Sequence, residues 1–575
     1  MLLRAIAIDY DGTIAENNVL NEHVREAIVE ARSSGLFVVI VTGRILRELR
    51  RVAGDLGFVD GVVAENGGVI LLTNGHRRLL GPPPFPLLMQ ELSDRGIEFI
   101  VGRCLLDMDA EYAGTVLSVI KQKGLPLMIV FNKNRMMVLP RMISKSSGLR
   151  EMLDILGTSI HNTVGIGDAE NDYELLKDCE YGVTVEWAPD FLKSEADFII
   201  EGDSQDSVAD YIRTVSSHNR IPTRGMSHRN LVLESTAGQA SFEIANRGRN
   251  ILIAGDSKSG KSWIAGLFCE QLIQQRYTVI VIDPEGDYSS LTTLPNTLVV
   301  GAGNPLPEFR DMLSLFRQGL SLIINFSQMG FAEKKSYIRE LLPLAAKYRR
   351  DRGYPHAILI DECHYFLTDE IEGCLLDPEL GSYILVTYQP SLLPEKVMQK
   401  VEVLVATRIT EAEEVDAISG HRDPDLSDDW YDTLANLKTT EAVLLPPTVE
   451  AGGKPVRFSV VPRLTRHIRH RSKYFENRLR DDQAFVFTRH GAAVGEPVYA
   501  LHELAERVKN MEPDVTSGHL GRHDFSHWIF AIFGDHDLAM KIERLERAHI
   551  RSHDLSGFAD QLAGAIEEQY RQGDV

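Results

Sequence analysis

Asp9 and Asp11 stand two residues apart, directly after the apolar run Leu2–Ile8, with Gly12 and Thr13 behind them. Two carboxylates at that spacing at a strand end suit phosphoryl chemistry. One attacks phosphorus, and the other protonates the leaving oxygen and later activates water. The charge developing on the phosphoryl group then requires donors and a cation. Thr42, within Val41-Thr42-Gly43-Arg44, offers a hydroxyl and backbone N–H groups, and Lys145 offers the cation. Gly167-Asp168-Ala169-Glu170-Asn171-Asp172 adds carboxylates, so Asp9, Asp11, Asp168 and Asp172 make the expected Mg²⁺ set.

A second phosphate site is written at Gly255-Asp256-Ser257-Lys258-Ser259-Gly260-Lys261-Ser262, which fits G-x-x-x-x-G-K-[ST] after an apolar strand and before a helical stretch. Backbone N–H groups of such a loop, here Gly255, Ser257, Ser259 and Gly260, cradle the phosphates of ATP. Lys261 reaches the β and γ phosphates and Ser262 ligates Mg²⁺. Ala357–Ile360 is an apolar run ending in Asp361-Glu362. Asp361 is expected to orient Mg²⁺ and Glu362 to polarise the attacking water.

These residues need strand ends to hold them. Up to about residue 215, short apolar runs (Ala5–Ile8, Phe37–Val41, Gly61–Ala64, Thr163–Ile166) alternate with amphipathic stretches, the pattern of a parallel sheet. Pro82-Pro83-Pro84-Phe85-Pro86 marks an exit into a small inserted α+β unit reaching Pro140. Residues 216–227 read as a linker. A second α/β unit over 228–462 has strands near 251–254, 279–282, 321–325, 357–360 and 383–387, closed by a hairpin around Gly452–Pro455. Residues 463–481 form a basic connector, with seven Arg or Lys against Glu476 between 463 and 480. Residues 482–575 read as mainly helical after a β-like start at Ala484–Thr488.

Composition limits the function classes. The 575 residues are 44% hydrophobic and 25% charged, an ordinary soluble balance with room for three or four domains. The net charge of −21 argues against nucleic-acid binding over the whole surface but leaves room for a local basic channel. No run approaches the roughly 18 apolar residues of a membrane span. Cys104, Cys179, Cys269, Cys363 and Cys374 show no C-x-x-C spacing, which fits a reducing cytoplasm and no membrane partner.

The four ordered motifs of the first unit resemble the haloacid dehalogenase superfamily, in its phosphatase branch with a type IIB cap. Asp9-Tyr10-Asp11-Gly12-Thr13-Ile14 is similar to its first motif, Thr42-Gly43 to its second, Lys145 to its third and Gly167-Asp168 with Asn171-Asp172 to its fourth. Glu65-Asn66-Gly67-Gly68 resembles a turn of the same branch. The resemblance implies Asp9 as nucleophile, Asp11 as acid/base, and Mg²⁺ held by Asp9, Asp168 and the Asp11 carbonyl. The sequence departs from that pattern at Lys145-Ser146-Ser147-Gly148, where glycine usually follows the lysine directly, and the cap over about 82–140 is short. Arg103, Lys121, Lys123 and Arg135 are its candidate substrate contacts.

The second unit resembles HerA/FtsK ATPases at Asp283-Pro284-Glu285-Gly286-Asp287-Tyr288, at Asp361-Glu362-Cys363-His364-Tyr365-Phe366 and at Gln389. That implies a RecA-like core, often a hexameric ring, with Gln389 as sensor and Arg408 as the candidate arginine reaching into a neighbour's site. It also implies duplex DNA as a partner, for which Lys347–Arg352 is the one basic stretch to consider. His519, His523 and His527, spaced by four, would share a helix face able to hold a metal.

The expected fold is therefore α/β: a Rossmann-like phosphatase with a small α+β cap, a RecA-like P-loop ATPase and a small, mainly helical C-terminal domain. The leading function is an Mg²⁺-dependent phosphatase joined to an ATP-hydrolysing ring ATPase, in DNA processing or antiviral defence. The phosphatase substrate would be a phosphorylated small molecule, a nucleotide or a DNA end. Two alternatives stand beside it: a polynucleotide-type kinase/phosphatase, and a sugar-phosphate phosphatase gated by ATP at a P-loop scaffold.

Overall fold

The computed structural model describes residues 1–222, 229–234, 242–245, 248–302, 304–367, 375–419, 429–445, 456–465, 479, 484–489, 491–533, 536–552 and 557–571. Met1–Pro284 and Tyr288–Arg466 make one compact unit, and Glu285–Asp287 with His467–Val575 make a second. No helix among the described residues is long and apolar enough to cross a membrane.

The first sheet has eight strands. Ala5–Asp9 (β1) lies near its middle, between Phe37–Val41 (β2) and Thr163–Gly167 (β3), and pairs in parallel with both. Every residue of β1 and β3 is buried, as a central strand covered on both faces requires. The chain runs from β1 to neighbours on opposite sides, so Asp9, Thr42 and Asp168 emerge side by side at one carboxyl edge. Two helices start at that edge. Lys145–Leu156 (α1) is opened by a reciprocal cap between Ser144 and Ser147, and Tyr173–Asp178 (α2) follows Asp172 directly. The inserted cap is a four-stranded antiparallel sheet with its own core, including Leu88, Leu92, Met108, Val116 and Val119.

The second sheet has nine strands. Ile251–Ala254 (β4) precedes the phosphate loop, and Lys261–Gln274 (α3) follows it. Val279–Asp283 (β5) comes next. Phe331–Arg352 (α4) then leads to Ala357–Ile360 (β6) and Tyr383–Thr387 (β7). In space β7 lies between β4 and β6, all three parallel, so the end of β7 stands between the phosphate loop and Asp361-Glu362. This is the RecA-like arrangement expected. Glu441–Leu445 and Val456–Ser459 pair antiparallel at the far edge, and the turn expected at Gly452–Pro455 lies outside the described residues.

The linker and connector expectations change in part. The helix Gln205–His218 runs into the segment read as a linker, while 223–228 lie outside the described residues. Most of the basic connector also lies outside them. At its start, the buried Arg463 lies over the ring of Trp263 and 3.9 Å from buried Glu270, both on α3. The three arginines of the Lys347–Arg352 stretch find partners within the chain. Arg349 is buried and donates to the Gly381 carbonyl at 2.7 Å, Arg350 pairs with Asp377, and Arg352 donates to the Leu156 carbonyl at 3.2 Å.

The second unit packs helices around Phe485, Phe487, Phe525 and Phe558. The shared histidine face does not form. His523 adopts a left-handed φ of 58° and separates two helices. His519 Nδ1 meets Asp524 at 2.6 Å and His523 Nδ1 meets Glu546 at 3.0 Å, so each serves a local hydrogen bond.

Candidate active sites

At the first edge, buried Lys145 reaches both Asp9 Oδ1, at 2.5 Å, and Asp172 Oδ1, at 2.6 Å. A cation this deeply buried persists only with carboxylate partners. Burial opposes its charge, but Asp172 and Asp9 outweigh that and hold the ammonium above its usual range. One ammonium among three carboxylates leaves negative charge in excess. Burial first, then Asp172, pushes Asp9 well above the ordinary carboxylate range. The same two causes push Asp168 up to about 6.

That excess, with oxygens of Asp9, Asp168 and Asp172 all within 4.8 Å of one another, fits a divalent cation. The roles within the expected metal set nevertheless divide. Asp172 Oδ2 accepts from the backbone N–H of Asp168 at 3.1 Å and of Ala169 at 3.0 Å, and Oδ1 is taken by Lys145. Asp172 is thereby tied to the backbone and to Lys145, and its oxygens still lie within reach of those of Asp9 and Asp168. The Asp11 carboxylate turns instead to Arg44, whose Nε donates to Oδ2 at 2.6 Å. Asp11 thus keeps only its carbonyl for the metal role that the resemblance implied.

Backbone geometry explains two glycines here. Gly12 has φ of 87°, and a Cβ on it would lie 2.2 Å from Asp168 Oδ2. Gly148, three residues after Lys145, sits so close to Gly67 that a Cβ would come 2.6 Å from its Cα. Ser144 caps the helix and Ser147 in its first turn returns the bond, so the departure from the usual Lys-Gly pair is accommodated within that turn of α1. Thr42 is buried, its N–H bonded to the Val63 carbonyl at 2.8 Å and its hydroxyl accepting from the Arg44 N–H at 3.1 Å.

Two contributors, Arg44 and Lys133, escaped sequence reasoning, and a third, Glu65, was placed only as part of a turn. Arg44 holds Asp11, and its place directly after Thr42-Gly43 was the available signal. Lys133, at the tip of the cap hairpin Leu127–Pro140, comes 3.6 Å from Asp168 Oδ2. Glu65 Oε2 accepts from the backbone N–H groups of Arg103, at 2.7 Å, and Cys104, at 2.8 Å, clasping the cap to the core. Of the four expected cap contacts, Arg135 pairs with Asp107 and Lys123 with Glu91, while the Arg103 backbone N–H serves Glu65.

The second edge carries the phosphate loop. A Cβ at Gly255 would meet Thr407 Oγ1 at 1.9 Å, and one at Gly260 would lie 2.9 Å from the Thr439 carbonyl. Ser259 Oγ is 2.5 Å from Thr407 Oγ1. Lys261 Nζ donates to the Asp256 carbonyl at 2.8 Å, curling back over its own loop. Ser257 and Ser262 lie on the same loop-to-helix segment. Asp361 and Glu362 are buried at the end of β6, and Glu362 takes a left-handed φ of 45°. Thr387 ties this end to β7: its hydroxyl meets His364 Nδ1 at 3.0 Å and accepts from the Gln389 N–H at 2.9 Å. Arg408, expected to reach into a neighbour, lies beside its own loop, with Nε 3.9 Å from Asp256 Oδ2.

Comparison with known proteins finds a match in the region of each sheet. Residues 6–80 and 92–212 match the haloacid dehalogenase-like hydrolase model, and 236–354 match the central domain of helicase HerA. The chain joins a haloacid dehalogenase-like hydrolase domain to a HerA-type domain. The phosphoglycolate phosphatase of Methanothermobacter thermautotrophicus is 28% identical over 234 residues, 37% of this chain and 98% of the relative. The 5-amino-6-(5-phospho-D-ribitylamino)uracil phosphatase of Bacillus subtilis is 25% identical, across 37% of this chain and 95% of the relative. A solved structure from Thermoplasma acidophilum covers 38% of this chain and 99% of its own, at 19% identity and a TM-score of 0.34.

Proposed function

We propose that the chain is a bifunctional hydrolase: a phosphatase working through an aspartyl-phosphate, and an ATPase at the phosphate loop. The observation that carries the phosphatase reading is the Lys145 bridge between Asp9 and Asp172, with Asp168 alongside and Asp11 held apart by Arg44. Asp9 attacks phosphorus. Asp11 donates a proton to the leaving oxygen and then takes one from the water that cleaves the acyl phosphate. Lys145 and the Thr42 segment face the developing negative charge. Mg²⁺, held by Asp9 and Asp168, would supply Lewis-acid charge neutralisation at the phosphoryl oxygens.

The substrate class we favour is a small phosphate monoester. Two relatives are named for phosphoglycolate and for a ribitylamino-uracil phosphate. Lys133 at the cap tip adds a positive charge above the site, which favours a substrate with a second anionic group. At the other edge, Glu362 polarises the water, Lys261 swings from Asp256 to the nucleotide phosphates, and Gln389 reports on them. The position of Arg408 favours a role at its own site. Assembly into a ring and action on DNA follow only from the likeness to HerA.

Phosphate release from phosphoglycolate, sugar phosphates, nucleotides and 5′-phosphorylated DNA, with Mg²⁺ or EDTA, tests the first activity. Release from none by wild type, or undiminished release by Asp9→Asn, would overturn it. ATP hydrolysis with and without duplex DNA, on wild type and Lys261→Ala, with mass photometry, tests the second. A DNA-stimulated, Lys261-dependent hexamer would move the substrate class to DNA ends. ATPase activity that survives Lys261→Ala would sink the phosphate-loop reading.

A further inference from the structure

Four segments of the chain, three of which start beside a site residue, run to one seam between the two sheets. Helix α1 begins at Lys145 and ends at Leu156, whose carbonyl accepts from Arg352. Two residues on, the Thr158 carbonyl accepts from the Tyr354 hydroxyl at 3.0 Å. Helix α2 begins beside Asp172, and its last residues, Lys177 and Asp178, offer their carbonyls to Arg229. From the other side, Tyr277 leads into β5, which ends at Asp283. His356 leads into β6, which ends at Asp361-Glu362.

The segments meet at Glu180. Its buried Oε2 accepts from the Tyr277 hydroxyl at 2.7 Å, from Arg229 Nη1 at 3.2 Å and from His161 Nδ1 at 3.2 Å. The His161 ring stacks on Tyr277 at 3.8 Å and stands edge-on to His356, with centroids 5.1 Å apart. Donation to a carboxylate puts the His161 proton on Nδ1 and leaves Nε2 an acceptor. The Thr278 N–H donates to His356 Nδ1 at 2.8 Å, which puts the proton of His356 on Nε2. Both Nε2 atoms are buried, and neither finds a partner among the described residues. An unmet donor and an unmet acceptor therefore lie in adjacent rings, each costing about 1–3 kcal/mol. A displacement of one sheet against the other would change the spacing of these two rings. Beside these rings a cavity of about 600 Å³, lined from both sides by residues such as Asp154, Asn296 and Tyr354, leaves room for that displacement.

We propose that this seam couples the two sites: nucleotide occupancy of the phosphate loop resets the phosphatase edge, and the His161–His356 pair is the element with two positions. The inference rests on the two-activity reading and adds regulation to it. Linkage requires the coupling to be reciprocal, so a phosphoryl ligand at Asp9 would shift nucleotide affinity by the same factor.

The test uses the full chain with Mg²⁺, p-nitrophenyl phosphate as substrate and a non-hydrolysable ATP analogue. Saturating analogue is expected to change kcat/KM of wild type about fivefold or more. Tyr277→Phe keeps the ring stack and removes one donor from Glu180. His356→Phe removes the unmet donor. Both variants should bind the analogue and keep the basal phosphatase rate within about twofold, while the response shrinks below about twofold. Hydrogen exchange over 145–156 and 173–178, with and without analogue, reads the same coupling without turnover. An inactive phosphatase would therefore overturn the functional reading and leave the coupling measurable. An unchanged rate and unchanged exchange with analogue bound would overturn the coupling, as would a full response in both variants.

Discussion

Lys145 is an ammonium cut off from water, and its partners are the two carboxylates it must keep from repelling each other. Removing it leaves Asp9 and Asp172 buried and uncompensated. Lys145→Ala should therefore cost about 3–5 kcal/mol of stability in urea unfolding, as well as activity. Asp11→Asn should fold normally and lose about 10²–10⁴-fold in phosphate release, because it removes a proton carrier and leaves the buried cluster intact. Gly12→Ala separates shape from charge. Its Cβ would intrude on Asp168, so Mg²⁺ dependence should shift to higher concentrations while Asp9 and Asp11 remain in place. Titrating activity against Mg²⁺ checks this. Asp11 and Gly12 were legible because they follow an apolar strand, and Lys145 because of its place in the ordered motifs. Lys133 was not, because its place beside Asp168 depends on how the cap folds over.

At the scale of elements, period and burial decided what could be read. Strands β1, β3, β5 and β6 are mostly apolar and buried at every residue, and such runs announce central parallel strands. The order of β4, β7 and β6 could not be read, since strand neighbours leave no mark on spacing. The histidines at 519, 523 and 527 failed for a related reason. Spacing by four implies one face only if one helix continues, and the left-handed residue at His523 ends it. Lys347–Arg352 reads first as a solvated helix end, with a channel lining as the alternative, because charge is visible in sequence and its partners are not. The three arginines of α4 that bind Gly381, Asp377 and Leu156 are structural. Arg350→Ala and Arg352→Ala should then leave any DNA response of the ATPase unchanged, which titration with duplex DNA checks.

For the molecule as a whole, the seam makes stability depend on pH. Burial first, and only partly offset by Glu180, holds His161 down to about 4, so the folded protein keeps it neutral. The unfolded chain takes up that proton near pH 6.5. Unfolding thus gains a proton, and stability falls as pH drops from 6.5 towards 4. Between pH 7.5 and 5 the loss should be on the order of 2 kcal/mol from His161 alone. Urea midpoints at the two pH values should differ less in His161→Gln than in wild type. None of this was visible in sequence, where residues 161, 180, 277 and 356 belong to motifs nobody would group.

One hydrophobic cluster runs without a break from Ile6 and Ile8 through Tyr181 and Leu231 to Ile264, Phe268 and Tyr277. The boundary between the two family matches, at residues 212 and 236, passes through this cluster. Heating should accordingly melt both sheets in a single calorimetric transition. Either half expressed alone would uncover whatever part of that shared cluster the other half now shields from water.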